Sequence, residues 1–162
     1  MKDRSTTATR ARILAVDDQE AQLIALDAVL GDLGHDLVTA RSGQEALELA
    51  ACEEFAVILL DVSMPGMDGY QTASGLRALA SARTTPLIFL TGDAVRTGSP
   101  LVAYAAGAVD FLTKPYIPEV LRSKVAVFLE LFRIRRDAEQ QAELLRQSEE
   151  KHRIFTELTS DF

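Results

Sequence analysis

Asp17, Asp18, Asp61, Thr91 and Lys114 are the residues of this 162-residue chain whose types and placement could do chemistry together. Each stands where a short apolar run ends: 13–16 before Asp17-Asp18, 56–60 before Asp61, 86–90 before Thr91, and 108–112 just ahead of Lys114. Taken singly, each has a blander reading. An Asp after a strand is commonly an N-cap or turn former, and a Lys before Pro is commonly a surface residue. The joint pattern carries more. A parallel sheet would gather these strand ends on one edge, so that three carboxylates, a hydroxyl and an amine share one crevice. Three carboxylates cannot all ionise cheaply at close range. A hard divalent cation resolves the repulsion, and Mg²⁺ favours a few carboxylates plus water and phosphate oxygens. One Asp can then attack phosphorus as a carboxylate nucleophile, while cation, Lys and Thr stabilise charge on the transferring oxygens. The expectation is an aspartyl phosphate.

The elements that must position these groups alternate along the chain. After the first apolar run, Leu23, Leu26, Ala28, Leu30 and Leu33 recur at helical spacing, and Gly34 is expected to stop that helix. A second strand follows over 37–40. Ser42, with Glu45 three residues on, reads as an N-cap and capping box, opening a helix that turns Ala46, Leu47, Leu49 and Ala50 inward. The run 56–60 is apolar throughout, as for the centre of a parallel sheet. The Pro and Gly of 63–69 mark a loop, and a helix is predicted over 70–82. A short helix is allowed between Gly98 and Gly107, and Pro118 suits the first turn of a last helix. Five βα units in 120 residues or so describe a doubly wound α/β sheet, with right-handed crossovers and a site at the carboxyl ends of its strands.

Composition removes several classes. With 48% hydrophobic and 25% charged residues, the chain is neither disordered nor low-complexity. The single Cys52 excludes a disulfide framework and a Cys-rich zinc site. The N-terminus lacks the apolar run of a signal peptide, and no stretch approaches the ~18 apolar residues of a membrane span, so a cytoplasmic protein is expected. Charge is uneven. Residues 13–132 hold seven basic and sixteen acidic residues, net −9, within a total of −7. An acidic body neutralises phosphates poorly, which speaks against nucleic-acid binding; it suits a cation site, or solubility alone.

Read together, Val16-Asp17-Asp18, the run Leu60-Asp61-Val62-Ser63-Met64-Pro65-Gly66-Met67-Asp68-Gly69, Leu90-Thr91-Gly92 and Lys114-Pro115 make residues 11–132 resemble the receiver domain of two-component response regulators. The resemblance implies a flavodoxin-like five-stranded parallel sheet of order 2-1-3-4-5. It implies that Asp61 is the phosphoacceptor. Asp17, Asp18, Asp61 and the backbone carbonyl of Ser63 would hold Mg²⁺. Thr91 would be the switch hydroxyl, Lys114 the phosphate-contacting amine and Phe111 the switch aromatic. Lys114-Pro115 matches a position where receivers have a cis peptide, which only X-Pro makes accessible. Ser63 and Asp93 match positions that tune how fast the phosphoryl group is lost. The partner implied is a histidine kinase or histidine phosphotransfer protein, and the enzymology is limited to self-phosphorylation and autodephosphorylation.

Residues 1–10 are expected to be a disordered tail and 133–162 a helical linker. From Pro118 to about Phe155 there is no Gly and no further Pro. Phe128, Leu131, Arg135, Ala138, Ala142, Leu145, Glu149 and His152 fall on a 3–4 spacing, a seam weakened by its polar members. A homodimer through a marginal coiled coil is expected, against the alternative of a solvated single helix. Residues 147–155 resemble the lead-in helix of a PAS sensor domain, which needs about 100 residues more; this suggests a hybrid histidine kinase or multidomain regulator cut off at Phe162. His152, in Lys-His-Arg, lacks the context of a kinase phosphoacceptor, and His35 reads as a loop residue. Among competing functions, a phosphatase or phosphomutase would want a second Asp where Ser63 stands. No Gly-rich loop follows the first strand to bind a nucleotide. A pseudo-receiver acting only as an interaction or dimerisation module usually lacks an acid or the lysine, and here all are present.

Overall fold

The computed structural model describes residues 10–92, 107 and 110–160. Five parallel strands, β1 (Arg12–Val16), β2 (Asp36–Ala40), β3 (Val57–Asp61), β4 (Leu87–Thr91) and β5 (Asp110–Thr113), form one sheet in the order β2-β1-β3-β4-β5. This is the expected α/β, flavodoxin-like, doubly wound arrangement. Helices α1 (Glu20–Leu30), α2 (Gly43–Cys52) and α3 (Gly69–Ala78) connect the strands, and a C-terminal helix runs Pro118–Ser160. The helix anticipated between Gly98 and Gly107 and the tail over 1–9 lie outside the described residues. Two compact units are distinguished, the second beginning at Glu130.

The central strands β3 and β4 are buried at every residue, as both faces are covered. Their side chains, Ile58, Leu59, Leu60, Ile88 and Phe89 among them, make the core, with Tyr70 edge-on to Phe89 at 5.1 Å between ring centres. The edge strands β2 and β5 are only partly covered. Register fixes the functional edge. Val16 pairs with Leu60, Asp61 with Leu90, and Thr91 with Thr113. Asp17 therefore lies level with Asp61, and Thr91 one residue further along.

The helix boundaries correct the sequence reading at two places. α1 ends at Leu30 rather than at Gly34, because Gly31 caps it and the Leu33 N–H turns back to the Leu30 carbonyl. Ala28 of the expected apolar set is exposed; Leu23, Leu26 and Leu30 alone are buried. α3 ends at Ala78 rather than near 82. The cause is Arg77. Its guanidinium, half-buried and pushed below its ordinary value by that burial, donates to the carbonyls of Ala82, Arg83, Thr85 and Gly107. One cation thus folds the α3–β4 loop around itself and pins the segment ahead of β5. Ser42 caps α2 as expected, accepting the Glu45 N–H, but the Glu45 carboxylate takes the N–H of Arg41 instead of closing the box on Ser42. A complete capping box appears unannounced at α3, between Asp68 and Gln71. His35, expected as an ordinary loop residue, is buried.

Replacing Arg77 by Leu removes a charged donor from four carbonyls at once. It is expected to lower stability by about 2–3 kcal/mol, hydrogen bonds to charged groups being the stronger kind. Ser81→Ala, which loses one bond to the Ala50 carbonyl, is expected to cost about 1 kcal/mol. Urea midpoints at constant slope check both.

Candidate functional site

The edge at the carboxyl ends of the strands is built by chain reversals that leave short acids facing inward. β1 stops at Val16, and the Asp17 carboxylate is fixed from two sides. Its Oδ1 accepts the Gln19 N–H at 2.9 Å, which starts α1, and its Oδ2 accepts the Lys114 ammonium at 3.0 Å. Asp17 is 1% exposed and Asp61, at the end of β3, is 5% exposed. Lys114 also reaches Asp61 Oδ1 at 3.4 Å. Asp18 is partly exposed. One carboxylate oxygen from each of Asp17, Asp18 and Asp61 lies within 4.8 Å of the others. The three acids expected from the sequence do converge, and Lys114 joins them.

Two glycines shape the loop beyond Asp61. Gly66 takes a φ of +76°, which an L side chain rarely adopts. At Gly69 a Cβ would fall 2.4 Å from the Asp61 carbonyl oxygen, so the start of α3 can lie against the end of β3 only with no side chain there. The Gly69 N–H closes the loop on the Val62 carbonyl at 2.9 Å. The Ser63 N–H donates to the Asp61 carboxylate.

The electrostatics follow from this crowding. Burial pushes the Asp61 carboxyl above its ordinary value; Lys114 and the Ser63 N–H pull it back and the Asp17 charge pushes it up again, leaving it raised. Burial alone would lower the Lys114 ammonium, but its bonds and charge contacts with Asp17 and Asp61 outweigh that and hold it above its usual value. Asp61 is thus a carboxylate kept in an unfavourable place by one amine. Hard oxygen donors in this number suit a divalent cation such as Mg²⁺.

Thr91 is 4% exposed at the end of β4, on the same edge, and its carbonyl accepts the Lys114 N–H at 2.6 Å. The Lys114-Pro115 peptide is cis, as expected. Phe111 is half-buried and packs on the core. Ser63 is exposed in the loop after β3; Asp93 lies outside the described residues. Sequence reasoning overlooked three contributors. Gln22 and Tyr116 line a cleft beside Lys114; the Tyr116 hydroxyl is raised by burial, Lys114 pulling it down and Asp17 pushing it up. Arg41 donates to the Asp18 carbonyl at 3.4 Å. Gln22 and Tyr116 stand away from the strand ends, and Arg41, which directly follows β2, is a cation at an edge where acids and hydroxyls carried the signal.

A parallel sheet of this order places the chain among the flavodoxin-like α/β domains, here with an acid cluster at the carboxyl edge. The response regulator receiver domain matches residues 13–126, and the chain belongs to that family of two-component signalling proteins. It is 40% identical over 115 residues to the response regulator PleD of Caulobacter vibrioides, covering 71% of this chain and 25% of PleD. To the protein PilH of Pseudomonas aeruginosa it is 34% identical, over 74% of this chain and 98% of PilH. The chain therefore spans a quarter of PleD but nearly all of PilH. Among solved structures, the receiver domain of a sensor histidine kinase from Pseudomonas aeruginosa, with a magnesium ion coordinated in its active-site cleft, is 28% identical with a TM-score of 0.68, covering 75% of this chain and 98% of that one. The chemotaxis response regulator CheY4 of Vibrio cholerae gives 33% and 0.67 over 74% and 99%.

Neutralising one crowded acid is expected to steady the metal-free protein. Asp18→Asn should raise the thermal midpoint without metal by about 2–5 °C, equivalent to ~1 kcal/mol, and weaken Mg²⁺ binding at least tenfold. Melts with and without Mg²⁺ measure both, and a lower metal-free midpoint would contradict the account of the crowded carboxylates.

Proposed function

We propose that the chain is a working phosphoacceptor of a His-Asp phosphorelay, taking a phosphoryl group on Asp61 in a Mg²⁺-dependent reaction. The observation that carries this is the convergence of Asp17, Asp18 and Asp61 around the Lys114 ammonium. Asp17, Asp18, Asp61 and the Ser63 carbonyl would hold the cation, which when bound supplies positive charge against the phosphoryl oxygens. A carboxylate oxygen of Asp61 forms the new bond to phosphorus as the bond to the donor breaks, and the donor leaves as imidazole or as a small carboxylate. Lys114, already bonded to Asp61, is placed to contact the transferred group. Its ammonium then exchanges one negative partner for another and keeps its charge. The Thr91 hydroxyl supplies a donor on the same edge. The partner is a histidine kinase or histidine phosphotransfer protein. The only enzymology assigned to the chain is its own phosphorylation and dephosphorylation, at a rate tuned by Ser63 and Asp93.

Output is proposed to follow from Thr91 moving toward the new charge and Phe111 turning inward. That repacks the face of β5, the helix expected over 98–107 and the C-terminal helix. A second copy of the chain, joined through the C-terminal helix, is the readout. The domain plan keeps the receiver over 11–132 and a linker over 133–162. The PAS-like lead-in and a hybrid-kinase parent rest on the resemblance of 147–155, a stretch that is helical. A cytoplasmic place of action and no contact with nucleic acid belong to the same reading. The support is the acidic body of net −9 over 13–132, together with the absence, among the described residues, of a helix long and apolar enough to cross a membrane. A pseudo-receiver that serves only as an interaction module is the second reading; the intact set of Asp17, Asp18, Asp61 and Lys114 disfavours it.

Intact-mass measurement after incubation with acetyl phosphate separates the two. The wild-type chain is expected to gain one phosphoryl group with Mg²⁺ and none with EDTA, and Asp61→Asn none in either case. Labelling of Asp61→Asn equal to wild type would move the acceptor elsewhere, and no labelling of any sample would favour the pseudo-receiver.

A further inference from the structure

The residues from Glu130 onward show a division of charge that the sequence spacing alone did not reveal. Leu131, Ile134, Leu145 and Phe155 are 55%, 56%, 61% and 66% exposed. With Ala138 they fall on one seven-residue repeat: 131, 138, 145, 152 and 159 at one seam position, 134, 141, 148 and 155 at the other. Residues 131–160 contain six basic and six acidic side chains, and none stands on this seam. The ion pairs within the helix lie elsewhere. Glu143–Arg146 at 2.7 Å and Glu150–Arg153 at 2.6 Å join the two positions that face away from the seam, b and f of the heptad. Arg135–Glu139 at 3.6 Å reaches b from e, the position flanking the seam. Pairs three and four apart support an isolated helix by only ~0.2–0.5 kcal/mol each. They leave Leu131, Ile134, Leu145 and Phe155 in water along a four-heptad seam otherwise made of Ala138, Gln141, Ser148, His152 and Thr159. Leu144 and Leu158 are exposed on its flank, and the whole is the pattern of a weak coiled-coil partner face.

We propose that Leu131, Ile134, Ala138, Leu145 and Phe155 form the seam of a parallel, in-register coiled coil with a second copy of this chain. The proposal deepens the dimer reading above and rests on it. It replaces the frame read from spacing, in which Arg135 and Glu149 were seam residues, by one in which Ile134 and Ser148 take those places and the two charges move to the flank. Flanking charge selects the orientation. In a parallel pair each g residue faces an e residue five further on in the other copy. Glu130 then faces Arg135, Asp137 faces Ala142, Leu144 faces Glu149 and Lys151 faces Thr156. One pair is opposite in sign and none is alike. Gln141, Ser148 and His152 keep the seam weak, so association depends on concentration.

Disulfide formation in the full chain tests this register. Cys52 is exposed and is first replaced by Ser. Single-cysteine variants Ile134→Cys, Arg135→Cys, Ser148→Cys and Glu149→Cys are then oxidised with glutathione disulfide at about 100 µM chain, where mass action favours the pair. The variants at 134 and 148 are expected to cross-link about five times faster than those at 135 and 149. Leu145→Lys should weaken self-association at least tenfold in sedimentation, and Gln140→Lys, on the outer face, should leave it unchanged. Equal rates, the opposite order, or a monomer at that concentration would overturn the proposal. The same samples are treated with acetyl phosphate and Mg²⁺. A chain that accepts the phosphoryl group yet stays monomeric defeats the seam alone, whereas one that cross-links as expected but is not labelled keeps the seam and defeats the phosphoacceptor reading.

Discussion

The repulsion among Asp17, Asp18 and Asp61, offset in the fold by Lys114 alone among the described ion pairs at that edge, is the constraint around which the rest is arranged. Bringing three acids within 4.8 Å is unfavourable. It is imposed by register: with Val16 against Leu60, β1 and β3 run out together and their next residues face each other. The sheet can hold them there because its centre is deeply apolar. Every residue of β3 and β4 is buried, so the strands cannot slip by a residue without driving core side chains into water. Hydrophobic burial thus fixes the electrostatic tension, and the Lys114 ammonium, on the far side of the sheet order, ties it down.

The same geometry sets Asp61, the proposed acceptor, apart from the other acids of the edge. A lone buried carboxylate would protonate or take a permanent partner. Asp61 does neither completely. Asp17 occupies the stronger bond with Lys114, 3.0 Å against 3.4 Å, and is also held by the Gln19 N–H. Asp61 is left with a longer contact to the lysine and a backbone donor at Ser63. Of the two deeply buried acids, Asp17 is the anchor and Asp61 the one with capacity to spare. That inequality comes from the chain path: the Asp17 carboxylate takes the N–H of the residue that starts α1, whereas Asp61 opens into a loop that turns at Gly66 and closes against β3 at Gly69.

What the sequence disclosed follows the range of the forces involved. Strand ends were legible because an apolar run closed by an acid is a local pattern, and the sheet order came with the family motif. Helix ends were less so. The early stop of α3 depends on Arg77 finding Ala82, Arg83, Thr85 and Gly107, contacts in which an arginine looks like any other surface arginine until the loop is folded. The closure of α1 at Leu30 turned on Gly31 rather than the more conspicuous Gly34. In the C-terminal helix, spacing alone allowed two seams that share Leu131, Ala138, Leu145 and His152 and differ in whether 135 and 149 or 134 and 148 complete them. The proposed seam is the one that keeps Arg135 and Glu149 off it, and Arg135 is already paired with Glu139, a contact four residues apart that an apolar count does not register. Gln22 and Tyr116 were missed for a different reason: they reach the site from helix and loop positions that carry no strand-end signature.

The root of the C-terminal helix shows how a change at the site could be transmitted without a new contact. Arg122 donates to both carboxylate oxygens of Asp32 and to the Val29 carbonyl, tying the helix to the end of α1. Two residues on, Lys124 is paired with Asp110, whose other carboxylate oxygen accepts the Phe111 N–H at 2.8 Å. Arg122 thus holds the helix to an element that has no part in the proposed switch, and Lys124 holds it to the residue preceding the switch aromatic. A turn of Phe111 about its side-chain bonds would leave Asp110 where it is. A shift of the β5 backbone would carry Asp110 and pull on Lys124 while Arg122 stayed anchored. In the proposed switch the inward turn of Phe111 therefore acts by repacking the face, and these two ties respond only to the displacement of β5 that accompanies it, which they can convert into a tilt at the root of the helix.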